Sequence, residues 1–182
     1  MIKKNALIII FILIYMNLNA KEESLSLGLR FQKSVGLYYE NGLTFQYSNP
    51  DYLYFNDLEV GFSYFSSRFG SAISSNAISQ DNFIFNATYS YLPFWYFEPN
   101  LKVNLGYFYA DYESDIFDVL DNKSFLFSLE FGTFIITNSP LRIDISMGYN
   151  LITGDGMSGA GTLYPVFYQL GITWEIFHEV RK

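Results

Sequence analysis

The chain has no cysteine and a single histidine. With no cysteine there is no disulfide, no thiol nucleophile, no cysteine-ligated metal and no acylated cysteine behind a leader. Basic residues are scarce, with 11 Lys and Arg against 18 Asp and Glu. Setting aside Lys3 and Lys4 at the start leaves 9 basic residues against the 18 acidic ones, a net charge near -9. A nucleic-acid partner wants a basic patch, so none is expected. Long apolar runs are also missing after residue 20, which leaves no membrane-spanning helix there.

The one apolar run lies at the start, in MIKKNALIIIFILIYMNLNA. Two lysines, about 11 apolar residues and a small Ala20 before a polar stretch describe a secretory signal peptide. Residues 1–20 are therefore expected to be a leader cleaved after Ala20, and residues 21–182 one barrel domain. The run is too short to cross a bilayer, which takes about 20 residues. What remains is rich in aromatic residues, 20% of the whole chain, with 19 Phe and 16 Tyr. An exported, aromatic-rich chain without a spanning helix still has one way to live in a membrane, as a closed β-barrel.

Period-two alternation supports this. Leu25, Leu27, Leu29 and Phe31 alternate with Ser24, Ser26, Gly28 and Arg30. The same pattern recurs around residues 42–47, 57–64, 82–91, 101–109, 124–131, 141–149 and 168–177. Eight alternating segments predict eight half-buried strands. Eight is the smallest usual count for an outer-membrane barrel. The expected fold is all-β, an eight-stranded antiparallel up-and-down transmembrane barrel.

A soluble barrel would turn its apolar side inward, so the two faces decide the matter. One face is bulky, made of Phe, Tyr, Leu and Trp; the other carries Gly28, Gly42, Gly61, Gly106, Gly132, Gly148 and Gly171 with many Ser, Thr and Asn. An eight-stranded barrel is only just wide enough inside for side chains, so the small face belongs within. Arg30, Glu59, Lys102, Glu130, Arg142, Asp144 and Glu175 all share that small face. A Lys or Arg aimed at mid-bilayer lipid costs about 2–4 kcal/mol, whereas inside the lumen these groups can pair. They are expected to form an ion-pair network that plugs the barrel. Lys102 and Arg142 both open their alternating segments, which predicts the periplasmic half for both, with Glu175 and Glu130 as partners of Arg142.

The links at 66–81, 111–123 and 152–163 are long, and TNSP at 137–140 is tight, as expected for outer loops and periplasmic turns. YLPFWYFEPN, 91–100, reads as a short connection forming an aromatic girdle at the periplasmic interface. Between strands two and three the turn falls either at Asn49-Pro50-Asp51 or at Asn56-Asp57.

The last strand, YQLGITWEIF, places Gln169, Gly171, Trp174 and Ile176 at the spacing of a polar residue, a glycine and two apolar residues. It resembles the C-terminal assembly signal of outer-membrane proteins, which implies recognition by the barrel assembly machinery. HEVRK follows Phe177. Over residues 24–177 the chain resembles the OmpA/OmpX-like family of small outer-membrane β-barrels. That resemblance implies a monomer among outer-membrane lipid and a lipopolysaccharide-like glycolipid, with loops free to meet an extracellular ligand. The family holds adhesion and immune-evasion proteins, structural anchors and a few lipid A-modifying enzymes.

Little in the chain points to catalysis. Enzymes of this shape resemble one another in pairing a histidine with a serine near the outer leaflet, while His178 follows the last strand at the other end. GDGMSG, Gly154 to Gly159, matches a dinucleotide motif by letter only, without the flanking strand and helix. Asp111, Glu113, Asp115, Asp118 and Asp121 offer oxygen ligands but lack the glycine and terminal glutamate of a calcium loop, so a solvated loop is expected. The reading is a non-enzymatic barrel acting in adhesion or envelope integrity, with no metal and no cofactor. The alternatives are a lipid A-modifying enzyme and a small pore.

Overall fold

A computed structural model describes residues 23–34, 39–49, 53, 57–69, 78–112, 122–137, 139–151 and 166–179. Residues 1–20, expected to be a leader, the GDGMSG stretch, the acidic residues Glu113, Asp115, Asp118 and Asp121, and Pro50, Asp51 and Asn56 lie outside them. Alternating β-branched and aromatic residues favour the pleat, and here they form eight strands among the described residues. These are β1 (Glu23–Ser34), β2 (Tyr39–Ser48), β3 (Leu58–Phe69), β4 (Ile78–Ser90), β5 (Phe97–Tyr112), β6 (Lys123–Ile136), β7 (Leu141–Leu151) and β8 (Val166–Glu179). Each strand pairs antiparallel with its neighbour in sequence, and β1 pairs with β8 to close the barrel. Closure leaves no edge, so every ladder group can bond to a neighbour even in hydrocarbon. The strands hold 10 to 16 residues. A tilted strand needs about 9–11 to cross a bilayer.

The exterior is apolar. Leu27, Leu43, Phe85, Leu105, Phe125 and Phe131 all point outward and are exposed. Aromatic pairs brace it across strands, Phe62 with Phe85 at 5.1 Å and Tyr107 with Phe125 at 5.6 Å between ring centroids.

The interior is polar but not uniformly small. Phe65, Phe108, Phe134 and Phe167 are fully buried within the lumen. Phe65, Phe134 and Phe167 lie beyond the alternating segments read from the sequence, where the strands continue. Glycines in register make room for two of them, Phe65 and Phe167. Gly42 stands beside Arg30 on one side and Phe65 on the other, and Gly148 stands between Glu130 and Phe167. A Cβ on Gly42 would lie 1.9 Å from the Tyr64 carbonyl oxygen, so the strands touch where only glycine fits. Gly42→Val is therefore expected to lower the urea midpoint in detergent, by the equivalent of about 1–3 kcal/mol for overpacking. Outward-facing Leu43→Val serves as the comparison, and equal midpoints for the two would refute the close approach.

Several boundaries differ from the sequence reading. β2 ends at Ser48 and β3 begins at Leu58, so both candidate turns, Asn49-Pro50-Asp51 and Asn56-Asp57, fall in the link between them, where Pro50, Asp51 and Asn56 lie outside the described residues. Within this link the Leu53 N–H donates to the Asn49 carbonyl at 3.0 Å. The short connection after β4 is only 91–96, because Phe97 to Asn100 already belong to β5. His178 does not follow the last strand: its backbone is part of β8 and pairs with Ser24.

The β4–β5 turn is a two-residue hairpin. Phe94 and Phe97 exchange backbone hydrogen bonds of 2.7 and 3.0 Å around Trp95 and Tyr96. Trp95 has φ of 60°, the only positive φ among described non-glycine residues. A positive φ at the first central residue is where such turns favour glycine. A side chain held in this left-handed region costs about 1–2 kcal/mol.

Candidate lumen network

The site is built by the pleat. Every second residue of each strand points into a space about as wide as the side chains themselves, so long polar groups from opposite walls meet. Arg30 on β1 lies between Gly42 and Gly171 in register, which lets its side chain leave the wall. Its guanidinium bonds Glu130 on β6, across the barrel, and lies 4.5 Å over the Phe65 ring. Glu130 is a hub. It also accepts from Asn104 Nδ2 at 2.6 Å and from Ser146 Oγ at 3.0 Å, and Lys102 Nζ stands 3.7 Å away.

Lys102 bonds Asp144. Asp144 also accepts from Gln169 Nε2 at 2.9 Å and from Asn100 Nδ2 at 3.5 Å. Arg142 makes a forked pair with Glu59, 2.6 Å from Nη1 to Oε1 and 2.7 Å from Nη2 to Oε2. Its Nη2 donates to Gln46 Oε1 as well, at 2.6 Å, and its guanidinium carbon lies 4.1 Å over the Phe134 ring. Two parallel bonds to one carboxylate are the strong form of this contact.

The pairing differs from the one expected. Arg142 takes Glu59, not Glu130, which is occupied by Arg30 and Lys102. Glu175 faces inward opposite Ser26 at the short-turn end, beside a register shift that skips Ile176. Its amide donates to the Pro140 carbonyl at 2.9 Å, and its side chain is half-buried. Lys102 does not open its strand, because β5 begins five residues earlier at Phe97. It sits nearer mid-barrel, between Thr88 and Glu130 in register.

Glu40 escaped the sequence reading. It is buried and accepts from Asn82 Nδ2 at 3.0 Å, while Gln80 Nε2 donates to Asn82 Oδ1 at 2.6 Å. The signal was there: Glu40, Gly42, Thr44 and Gln46 continue one face of β2. A cavity of about 20 Å³ between Arg30, Glu40, Asn82, Asn104 and Phe167 has room for roughly one water.

Gln169, Gly171, Trp174 and Ile176 divide between the two faces of β8. Trp174 and Ile176 are exposed outward. Gln169 bonds Asp144 inside, and a Cβ on Gly171 would come 3.2 Å from Asp144 Cβ. The strand that carries the terminal pattern thus also lines the network.

A charged, hydrogen-bonded interior inside an apolar wall is the reverse of a soluble barrel. The fold is that of the small outer-membrane β-barrels of the OmpA/OmpX-like type. Among solved structures, the chain is similar to the N-terminal β-barrel domain of Pseudomonas aeruginosa OprF, with a TM-score of 0.61 at 12% identity over 86% of this chain and 100% of that one. It is also similar to Neisserial surface protein A, with a TM-score of 0.53 at 14% identity over 87% and 98%. Neither a protein-family model nor a curated protein sequence matches the chain. At such identities the likeness among these small outer-membrane barrels is one of fold.

Proposed function

We propose that the chain is a non-enzymatic barrel of the outer membrane of a diderm bacterium, exported by its leader, with a lumen plugged by side chains and loops that meet the exterior in adhesion or envelope integrity. The observation that carries this reading is the buried network itself. Cations and carboxylates from β1, β3, β5, β6 and β7 meet across the lumen, from Arg142–Glu59 to Arg30–Glu130. In this reading Arg30, Glu59, Lys102, Glu130, Arg142, Asp144 and Glu175 form the plug, and Gln169, Gly171, Trp174 and Ile176 form the signal read by the barrel assembly machinery. The barrel works as a monomer among phospholipid and lipopolysaccharide-like glycolipid, and its loops would take any extracellular ligand.

The protein is expected to fractionate with outer membranes and to migrate differently on gels before and after heating. Planar bilayers should show no steady ion conductance. Recovery as a soluble periplasmic protein refutes the location, and steady conductance refutes the plug in favour of a pore. For the enzyme alternative, His178→Ala should leave the lipid A mass spectrum unchanged. A change there would make the barrel a lipid A-modifying enzyme.

A further inference from the structure

We propose that the cavity beside Glu40 is a binding site for one ordered water, which joins Glu40 to Arg30 and Asn104 and extends the ion-pair network towards the loop end of the barrel. The site deepens the plug proposed above and rests on it. Pairing leaves one lumen carboxylate over. Arg30 bonds Glu130, Lys102 bonds Asp144 and Arg142 bonds Glu59. Glu40 is buried as well, yet among the described residues its carboxylate accepts from an uncharged amide, Asn82 Nδ2 at 3.0 Å. A buried carboxylate is costly unless further hydrogen bonds or a charge answer it.

Two other groups in the same wall are short of a bond. Arg30 Nε and Asn104 Oδ1 are buried and meet no hydrogen-bond partner among the described residues. Arg30, Asn104 and Glu40 line the cavity together. The amide of Asn104 cannot be turned round to relieve this, because Nδ2 donates to Glu130 at 2.6 Å and an ionised carboxylate only accepts.

These three groups select the ligand. Arg30 Nε–H needs an acceptor, while Asn104 Oδ1 and Glu40 need donors. A cation would serve the two oxygens but would stand against the Arg30 guanidinium and leave its Nε–H unbonded. An anion would serve Arg30 but stand against Glu40. Water accepts one bond and donates two, which answers all three, and a volume of about 20 Å³ admits one molecule. Apolar side chains close the site. Ile84, Leu126 and Phe167 complete its wall, and Leu126 clusters with Phe108 and Ala110, which follow Asn104 along β5 towards the loop end. With the water in place, charge alternates along the lumen from Glu40 through Arg30, Glu130 and Lys102 to Asp144.

Crystals of the full barrel in detergent test this, native and soaked in rubidium or bromide salts. One density peak is expected within hydrogen-bond distance of Arg30 Nε, Asn104 Oδ1 and the Glu40 carboxylate, with no anomalous signal in either soak. In Glu40→Leu the peak should be lost while the Arg30–Glu130 pair stays. In solution, the Arg30 Nε–H resonance should show an NOE to water in wild type and lose it in Glu40→Leu. An anomalous rubidium or bromide signal would make the site one for an ion and overturn the proposal. So would a peak that persists unchanged in Glu40→Leu. No peak, with the ion pairs intact, overturns the water site alone. Water density running unbroken from one mouth of the barrel to the other overturns the plug with it.

Discussion

Glu130→Gln should be among the most damaging single changes in the barrel, lowering its unfolding free energy in detergent by about 3–5 kcal/mol. Glu130 is fully buried and gathers Arg30, Lys102, Asn104 and Ser146 around one carboxylate. Glutamine keeps the shape but removes the charge and turns one acceptor into a donor. Lys102 keeps Asp144, but Arg30 loses the carboxylate to which it bonds and stays buried beside Phe65. The penalty comes from that stranded cation more than from the lost pair. Adding Arg30→Met should therefore recover part of the loss, which a double-mutant cycle measures as coupling. The exposed Lys123→Met is the control and should stay within about 0.5 kcal/mol of wild type. If Glu130→Gln and Lys123→Met unfold at the same denaturant concentration, the lumen is wet and the network adds nothing.

Leu105→Lys asks what surrounds the barrel. Leu105 lies mid-strand on β5, in register with Phe85 and Phe127, and is 58% exposed on the outer wall. On a soluble protein, a lysine at so open a position would change stability by no more than about 0.5 kcal/mol. Near the middle of a bilayer it should cost about 2–4 kcal/mol. Tyr109 points outward farther along the same strand, towards the loop end. There Tyr109→Lys should cost only about 0–1 kcal/mol, because the ammonium reaches the interface. Unfolding titrations in phospholipid vesicles give both values. A gradient with depth is the mark of a bilayer, and two equally mild variants would mean that the apolar wall faces something else.

The strand count, the antiparallel order and the choice of face were legible because they depend on local rules. A period of two assigns each residue to one side of the pleat whatever the rest of the chain does. The contrast between Leu105 or Phe131 on one side and Lys102 or Glu130 on the other then says which side can meet lipid. Leu27, Leu29, Tyr168, Leu170 and Trp174 were placed correctly on this basis alone.

Strand ends were less legible, since a strand continues as long as its neighbour offers bonds, even where alternation weakens. This is why Lys102 lies deeper than its place in the pattern suggested, and why Phe65, Phe134 and Phe167 were not seen as lumen residues. The partners that buried charges find across the lumen could not be read. Arg142 meets Glu59 and Arg30 meets Glu130 across the lumen, between strands that are not neighbours in the sheet. Such pairs depend on strand tilt and stagger summed around the whole circle, and a one-residue slip at any of the eight ladders would change them. The sequence by itself determined that this chain is a barrel with an apolar outside and a charged inside. Only the closed tertiary structure decided which charge answers which, because closure alone sets the depth at which opposite walls face each other.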